Sequence, residues 1–274
     1  MTREGVPGHK AGRWAMRFVV AGGFAFMLLP IALVLWLSLF TDEMLTIPPS
    51  GYSLKWYANI FDGNEFLDGF FLSLKVAALA TVAGLLVSVP ASLVLVRTRF
   101  PGREAIMNLL TAPLTVPAIV IGSALYVGFI ELEIATGLPL VGSSWGLAAA
   151  HVLITIPWCI RLITANLAGM DRTVEEAALS LGATPLSALC RVTLPMIWPG
   201  VVAAGLFSFV ISFGNLELSL FLVGPGETTL PIAILQYLQW KIDPTIAAVS
   251  VLQILIIGGG LLITDRFVSL TRVV

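Results

Sequence analysis

DRTVEEAALSLGATPLSALCRVTLP, residues 171–195, is a polar, charged interruption between two long apolar runs, and its reading decides the fold. Thr173 followed three residues later by Glu176 has capping-box spacing: the hydroxyl can accept from the N3 amide while the carboxylate reaches back to the cap amide. A short helix is therefore expected to start at Thr173. Gly182 falls just after the last periodic residue, where a left-handed backbone ends a helix at little cost. Thr184 and Pro185 then read as an N-cap followed by proline at N1. The expected element is helix, sharp turn, helix. Ala177 and Ala178 hold one flank to methyl groups, so another protein's backbone can approach closely, and Glu175 and Glu176 offer charge-assisted bonds. Such an element is shaped to fill a groove on a partner.

The flanking chain says where that knob is mounted. Its 274 residues are 58% hydrophobic and 11% charged. A water-soluble domain cannot hide so much apolar surface, so the bilayer takes it. Six spans are expected, at about 18–40, 70–96, 105–130, 145–165, 197–223 and 246–264. The fold is thus an all-α polytopic membrane protein, with the docking loop 171–195 joining the fourth and fifth spans. The first run is too long for a signal-peptide core and lacks a small-residue cleavage site, so it stays as a membrane helix. Pro90, Pro113, Pro117 and Pro157 fall within spans. Interrupted helices are tolerated at that depth when freed carbonyls face neighbours or a water-filled path, so the bundle encloses something. After the fifth span, residues 224–244 read as a short outer helix, re-entrant or interfacial, with Tyr237 and Trp240 at the headgroup boundary. With no internal repeat or soluble domain, residues 1–274 read as one transmembrane domain.

Arg3, Lys10, Arg13, Arg17, Arg97, Arg99, Arg103, Arg161, Arg172, Arg191, Arg266 and Arg272 fall on one side, with Lys55 and Lys241 opposite. The positive-inside rule puts both termini and the docking loop in the cytoplasm. The acidic segment 41–69 then faces outward, as do Glu131 and Glu133, and Lys75 snorkels from the second span.

Little in the chain can carry chemistry. None of the four lysines follows a glycine, so there is no GxxxxGK[ST] phosphate loop and the chain is not its own nucleotide motor. His9 and His151 are the only histidines, too few for a metal cluster or a triad, and no catalytic or metal site is expected. His151 reads as a ring hydrogen-bonded between helices. Cys159 and Cys190 lack metal or redox spacing and read as reduced thiols. Glu217, in SFGNLELSLFL, lies inside the expected fifth span, where an ionised carboxylate costs at least a few kcal/mol unless it meets water or a partner. It is the best single candidate to line a path, with a salt bridge as the alternative. Ser212 and Asn215 share a face while Glu217 points away, so the three can face one cavity only if the segment unwinds.

Glu176-Ala177-Ala178, three residues, Gly182, nine residues, Val192, one residue, Leu194-Pro195 resembles the EAAxxxG…(I/V)xLP signature of the membrane subunits of ABC-type importers. Further stretches, among them GYSLKWYANIF, RTRFPGR, APLTVPAIVIG and HVLITIPW, are similar to the spermidine/putrescine-type subgroup. The resemblance implies that Glu175, Glu176, Ala177, Ala178, Gly182, Leu194 and Pro195 couple the chain to a cytoplasmic ATP-binding subunit in two copies. It further implies a second permease, more often a different chain, and an external solute-binding protein. ATP and magnesium would sit in the ATPase, leaving no cofactor in this chain. The implied place is a prokaryotic inner membrane, with lipids and no nucleic acid among the partners. Polyamine importers of the subgroup carry acidic residues directly after the SF of the fifth span, where this chain has Gly214 and Asn215. The expected function is a permease subunit moving a small organic solute inward by alternating access, a polyamine or a related amine or amino-acid-like compound. The alternatives are a secondary transporter using Glu217 as an ion or proton relay, which calls for an internal symmetry the chain lacks, and a membrane-embedded enzyme, which needs a polar cluster the chain does not supply.

Overall fold

A computed structural model of the chain describes residues 8–44, 46–62 and 64–268. The assignment of both termini to the inner side rests partly on Arg3, Arg272 and the side chain of Lys10, which lie outside the described residues. Among those residues every regular element is a helix, apart from one isolated bridge between Phe40 and Tyr52. Six helices are long and apolar enough to cross a membrane.

The chain divides into two compact units, residues 1–62 with 238–254 and residues 63–237 with 255–274. The first holds α1 (Gly8–Leu37), α2 (Lys55–Asp62) and the first turns of the last helix. Between α1 and α2, the Asp42 carboxylate accepts the Ser50 N–H at 2.8 Å and its hydroxyl, which closes the loop between them. Phe40 is fully buried there, with the Trp36 ring edge-on at 5.0 Å.

The second unit is built on α3 (Asn64–Arg97), α6 (Ser144–Ala168) and α9 (Leu194–Phe213). Between membrane helices lipid supplies no hydrophobic drive, so small residues must let backbones approach. A Cβ added at Gly84 would stand 2.7 Å from the Thr155 hydroxyl, and one at Gly200 would stand 2.6 Å from Asn166. Cys159, Ile163, Ile197 and Ala204 form one fully buried cluster of this triangle, and Val76, Leu147, Leu218 and Leu222 belong to a second. Lys75 does not merely snorkel: its Nζ donates to Ser144 Oγ at 3.0 Å, 5.8 Å from the Trp145 ring centre.

Two expected spans are broken. In place of one helix over 105–130 the chain forms α4 (Arg103–Thr111), a 3-10 turn (Ala112–Leu114) and then α5 (Ala118–Thr136). Pro113 and Pro117 each lack an N–H and so cannot extend the helical ladder; Ala112 keeps helical angles, but the chain passes into the 3-10 turn after Thr111 and α5 waits until Ala118. The fifth run stops at Phe213, and after Gly214–Leu216 a separate α10 (Glu217–Leu222) begins. No proline causes this break. Asn215 Oδ1 accepts the Leu218 N–H at 2.9 Å, which caps a new helix instead of continuing the old one. The expected outer helix is α11 (Leu230–Trp240), and α12 (Thr245–Val268) is the last helix among the described residues.

Candidate functional site

The docking stretch folds as α7 (Thr173–Ser180), a turn, and α8 (Pro185–Ala188). The start of α7 differs from the capping box expected at Thr173. Arg172 occupies the cap position without a side-chain capping bond, and the Thr173 N–H is taken by Asp171 Oδ1 at 3.0 Å. An aspartate can accept the N–H two residues on while its backbone is still outside the helix, so Asp171 takes the amide that the Glu176 carboxylate of a capping box would have bonded. These bonds from Thr173 hold the Asp171 carboxyl below its ordinary range.

The exit from α7 is a complete Schellman turn. The Ala183 N–H donates to Ala178 O at 3.1 Å and the Gly182 N–H to Leu179 O at 3.0 Å, with Gly182 at φ +90°. Thr184 Oγ1 then accepts the Ser187 N–H at 3.2 Å, and Pro185 opens α8. The hairpin presents Glu176, Ala177, Leu181 and Leu186 to its surroundings, Leu181 being 89% exposed.

Glu175 is bonded within the chain. Its carboxylate pairs with the Arg97 guanidinium at the end of α3 and accepts the Thr193 hydroxyl at 3.1 Å. The bond from Arg97 is the main reason its carboxyl lies below the usual range. Arg172 reaches back the other way, donating to Val96 O at 3.0 Å. Leu194 packs against the Cys159 cluster and is therefore partly structural, while Pro195 is exposed.

From α8 the chain continues without a gap into α9. Residues Leu189–Thr193 form one π-helical turn, closed by the Leu194 N–H on Leu189 O. Pro185 to Phe213 is consequently one 29-residue helical rod joining the hairpin to a membrane span. Cys190 is exposed on this rod and Cys159 is buried in α6, its sulfur 3.0 Å from Ser208 Oγ.

At the two helix breaks lies a cavity of about 200 Å³ walled by Pro113, Val116, Pro157, Trp158, Ile211 and Asn215. Of the three residues expected to line a path, only Asn215 reaches it. Ser212 is buried behind it, its hydroxyl 2.8 Å from His151 Nδ1. Glu217 is exposed in the first turn of α10, and no ion pair reaches it among the described residues. The segment does unwind, but Glu217 still does not line the cavity.

His151 was expected as a ring bonded between helices, and it joins α6 to both sides of the break: Nδ1 meets Ser212 of α9, and Nε2 lies 3.4 Å from Ser219 of α10. His151→Ala is expected to lower stability by about 2–4 kcal/mol, from the void and the unpaired Ser212 hydroxyl. The check is the unfolding midpoint in detergent. What sequence reasoning missed here was Arg97, Thr193 and the break at 214–216. Asn215 followed by Glu217 in a first turn was the available signal for the last.

A family profile described as binding-protein-dependent transport system inner membrane component matches residues 80–271. The putrescine transport system permease protein PotI of Escherichia coli K12 is 33% identical over 231 residues, covering 84% of this chain and 82% of that protein. The spermidine/putrescine transport system permease protein PotC of Haemophilus influenzae is 28% identical, covering 89% and 91%. Among solved structures, a bacterial ABC transporter involved in import of the acidic polysaccharide alginate superposes with TM-score 0.72 at 14% identity, over 97% of this chain and 99% of that one. The MetNI methionine ABC transporter, in an inward-facing conformation, superposes with TM-score 0.60 at 20% identity over 76% and 96%. These last two bear on the fold alone. The chain belongs to the binding-protein-dependent transport system inner membrane components, the multi-pass permease subunits of ABC importers, whose ATP hydrolysis resides in a separate subunit and whose cargo arrives on a solute-binding protein.

Proposed function

We propose that residues 1–274 act as one permease domain that imports a small organic cation of the polyamine class. In this reading the α7–α8 hairpin lies in the cytoplasm, as do both termini, and inserts into a cleft on one of two ATPase subunits. Glu176, Ala177, Ala178 and Gly182 form the inserted surface, with Pro195 at its edge. A second permease, a different chain, completes the path. The observation that carries this reading is the uninterrupted rod from Pro185 to Phe213: a push on α8 has no loop in which to dissipate before it reaches the span and the break at 214–216. Differential contact of the ATPase with the hairpin in its open and closed states then biases which side the path opens to.

The names of the relatives favour a polyamine cargo. So does chemistry at the breaks. Helix breaks free backbone carbonyls, Asn215 adds an amide, and Trp158 offers an aromatic face, all of which suit an ammonium group. Glu217 supplies the negative charge that the cavity wall lacks, on a surface completed by the second permease.

The test is uptake in proteoliposomes holding this chain, its partner permease, the ATPase and the binding protein. ATP-driven putrescine uptake that survives a protonophore supports the reading. Uptake that follows the proton gradient and ignores ATP supports the secondary transporter instead. Asn215→Asp keeps the Oδ1 cap on Leu218 while adding a charge to the cavity wall. For a cationic cargo it is expected to lower KM about three- to tenfold, as an added charge a few Å from an ammonium group should. An unchanged or raised KM for putrescine would count against a cation passing Asn215.

A further inference from the structure

The contacts of Glu175 point to a role that coupling surfaces do not require. Three elements distant in sequence meet at one carboxylate: the end of α3 through Arg97, α7 through Glu175 itself, and the π turn through Thr193. Arg97 Nη2 also lies 3.5 Å from Thr193 Oγ1, so each member touches the other two. A second, reciprocal contact runs beside it, in which Arg172 donates to Val96 O. That carbonyl is among the last four of α3, which have no partner within the helix. The side chains of the Arg97–Glu175 pair are only 23% and 18% exposed, so water screens it less than it would a surface pair.

We propose that Arg97, Glu175 and Thr193 form a latch that makes α3 move with the coupling hairpin, so that one push drives two spans. Without the latch the hairpin is continuous as helix only with α9, through α8 and the π turn, and the single Arg172–Val96 bond is left to hold α3. With it, the inner end of α3 is bound to the same body, and α3 and α9 are the two spans that close on α6. Glu175 is then a positioning residue. It transmits the ATPase's displacement across the bundle without itself contacting the ATPase.

The latch rests on the reading of the hairpin as the ATPase contact, and the reference arm separates the two. A wild-type chain that fails to assemble with the ATPase overturns that reading, and the latch with it, before any substitution is made. With an assembled and active wild type, the readout is solute imported per ATP hydrolysed. Glu175→Gln and Arg97→Gln are each expected to lower this ratio at least about fivefold while hydrolysis continues, and the double variant should fall no further, as for residues acting as one unit. The charge swap Arg97→Glu with Glu175→Arg should recover most of the lost ratio. A role confined to stability would lower the amount of folded complex and leave the ratio per assembled complex unchanged. An unchanged ratio in the single variants, additive losses in the double variant, or a swap that recovers nothing would each overturn the latch.

Discussion

Gly182→Val is expected to reduce uptake by at least tenfold while the chain still inserts and still assembles. Gly182 sits at φ +90°, which L side chains rarely adopt, and nothing lies within 4 Å of where its Cβ would stand. The effect is therefore conformational and not a clash. Holding a β-branched residue there costs about 1–3 kcal/mol, which the turn can avoid only by changing its angle. A changed angle moves α8 relative to α7 and breaks the bonds from Ala183 and Gly182 to Ala178 and Leu179. A misaligned contact worth 1.4 kcal/mol is already a tenfold change, so a loss of this size needs no unfolding. Gly182→Ala, with a smaller penalty at the same φ, should retain a larger share of uptake. The measurement is solute uptake and ATP hydrolysis side by side in proteoliposomes, with membrane content of the chain as the control.

Gly146→Ala should act in the opposite way, on folding and not on coupling. An added Cβ would stand 2.0 Å from the Leu140 carbonyl oxygen, a backbone atom that cannot swing aside. That carbonyl belongs to the turn that starts α6. Ser143 Oγ donates to it at 2.8 Å and accepts the Gly146 N–H at 3.1 Å. The Leu140 and Val141 N–H groups are in turn held by the Glu133 carboxylate of α5, and the Gly142 N–H donates to Leu222 O of α10 at 2.9 Å. One methyl group therefore displaces a loop that ties three helices. The expected cost exceeds about 4 kcal/mol, at the extreme of single substitutions, and should remove most of the chain from the membrane. Steady-state membrane level and the unfolding midpoint are the readouts. Wild-type values for both would mean that the α5–α6 loop does not have this geometry.

The same residues show what the sequence could convey. The second half of the hairpin was legible because Gly182, Thr184 and Pro185 each act on the backbone of their own neighbours, whatever the rest of the chain does. The start of α7 at Thr173 was legible but its cap was not, because two carboxylates, Asp171 and Glu176, compete for the Thr173 N–H and spacing alone does not say which wins. The outlines of the spans were legible from apolar length, and the prolines at 113 and 117 marked a break without showing that α4 would end at Thr111 and α5 wait until Ala118. At the break at 214–216 the Asn215 cap was a local signal, whereas the tertiary contacts that brace it were hidden: His151, sixty-one residues before Ser212, holds one side and reaches Ser219 on the other. The latch was hidden for the same reason. Arg97 read as one more inner-side positive charge, and Glu175 as a group free for a partner, because their meeting depends on how α3 and α7 are brought together.

The central claim is that the α7–α8 hairpin is gripped from the cytoplasm by an ATPase. The direct measurement places one reactive thiol at its tip: Leu181→Cys, at a position 89% exposed, with Cys190→Ser to remove the other accessible thiol and buried Cys159 left in place. Membrane-impermeant maleimide should label this thiol only when applied to the cytoplasmic face, and a short bifunctional reagent should join it to the ATPase subunit. Labelling from the outer face, or a chain that transports while its tip never cross-links to the ATPase, would contradict the account.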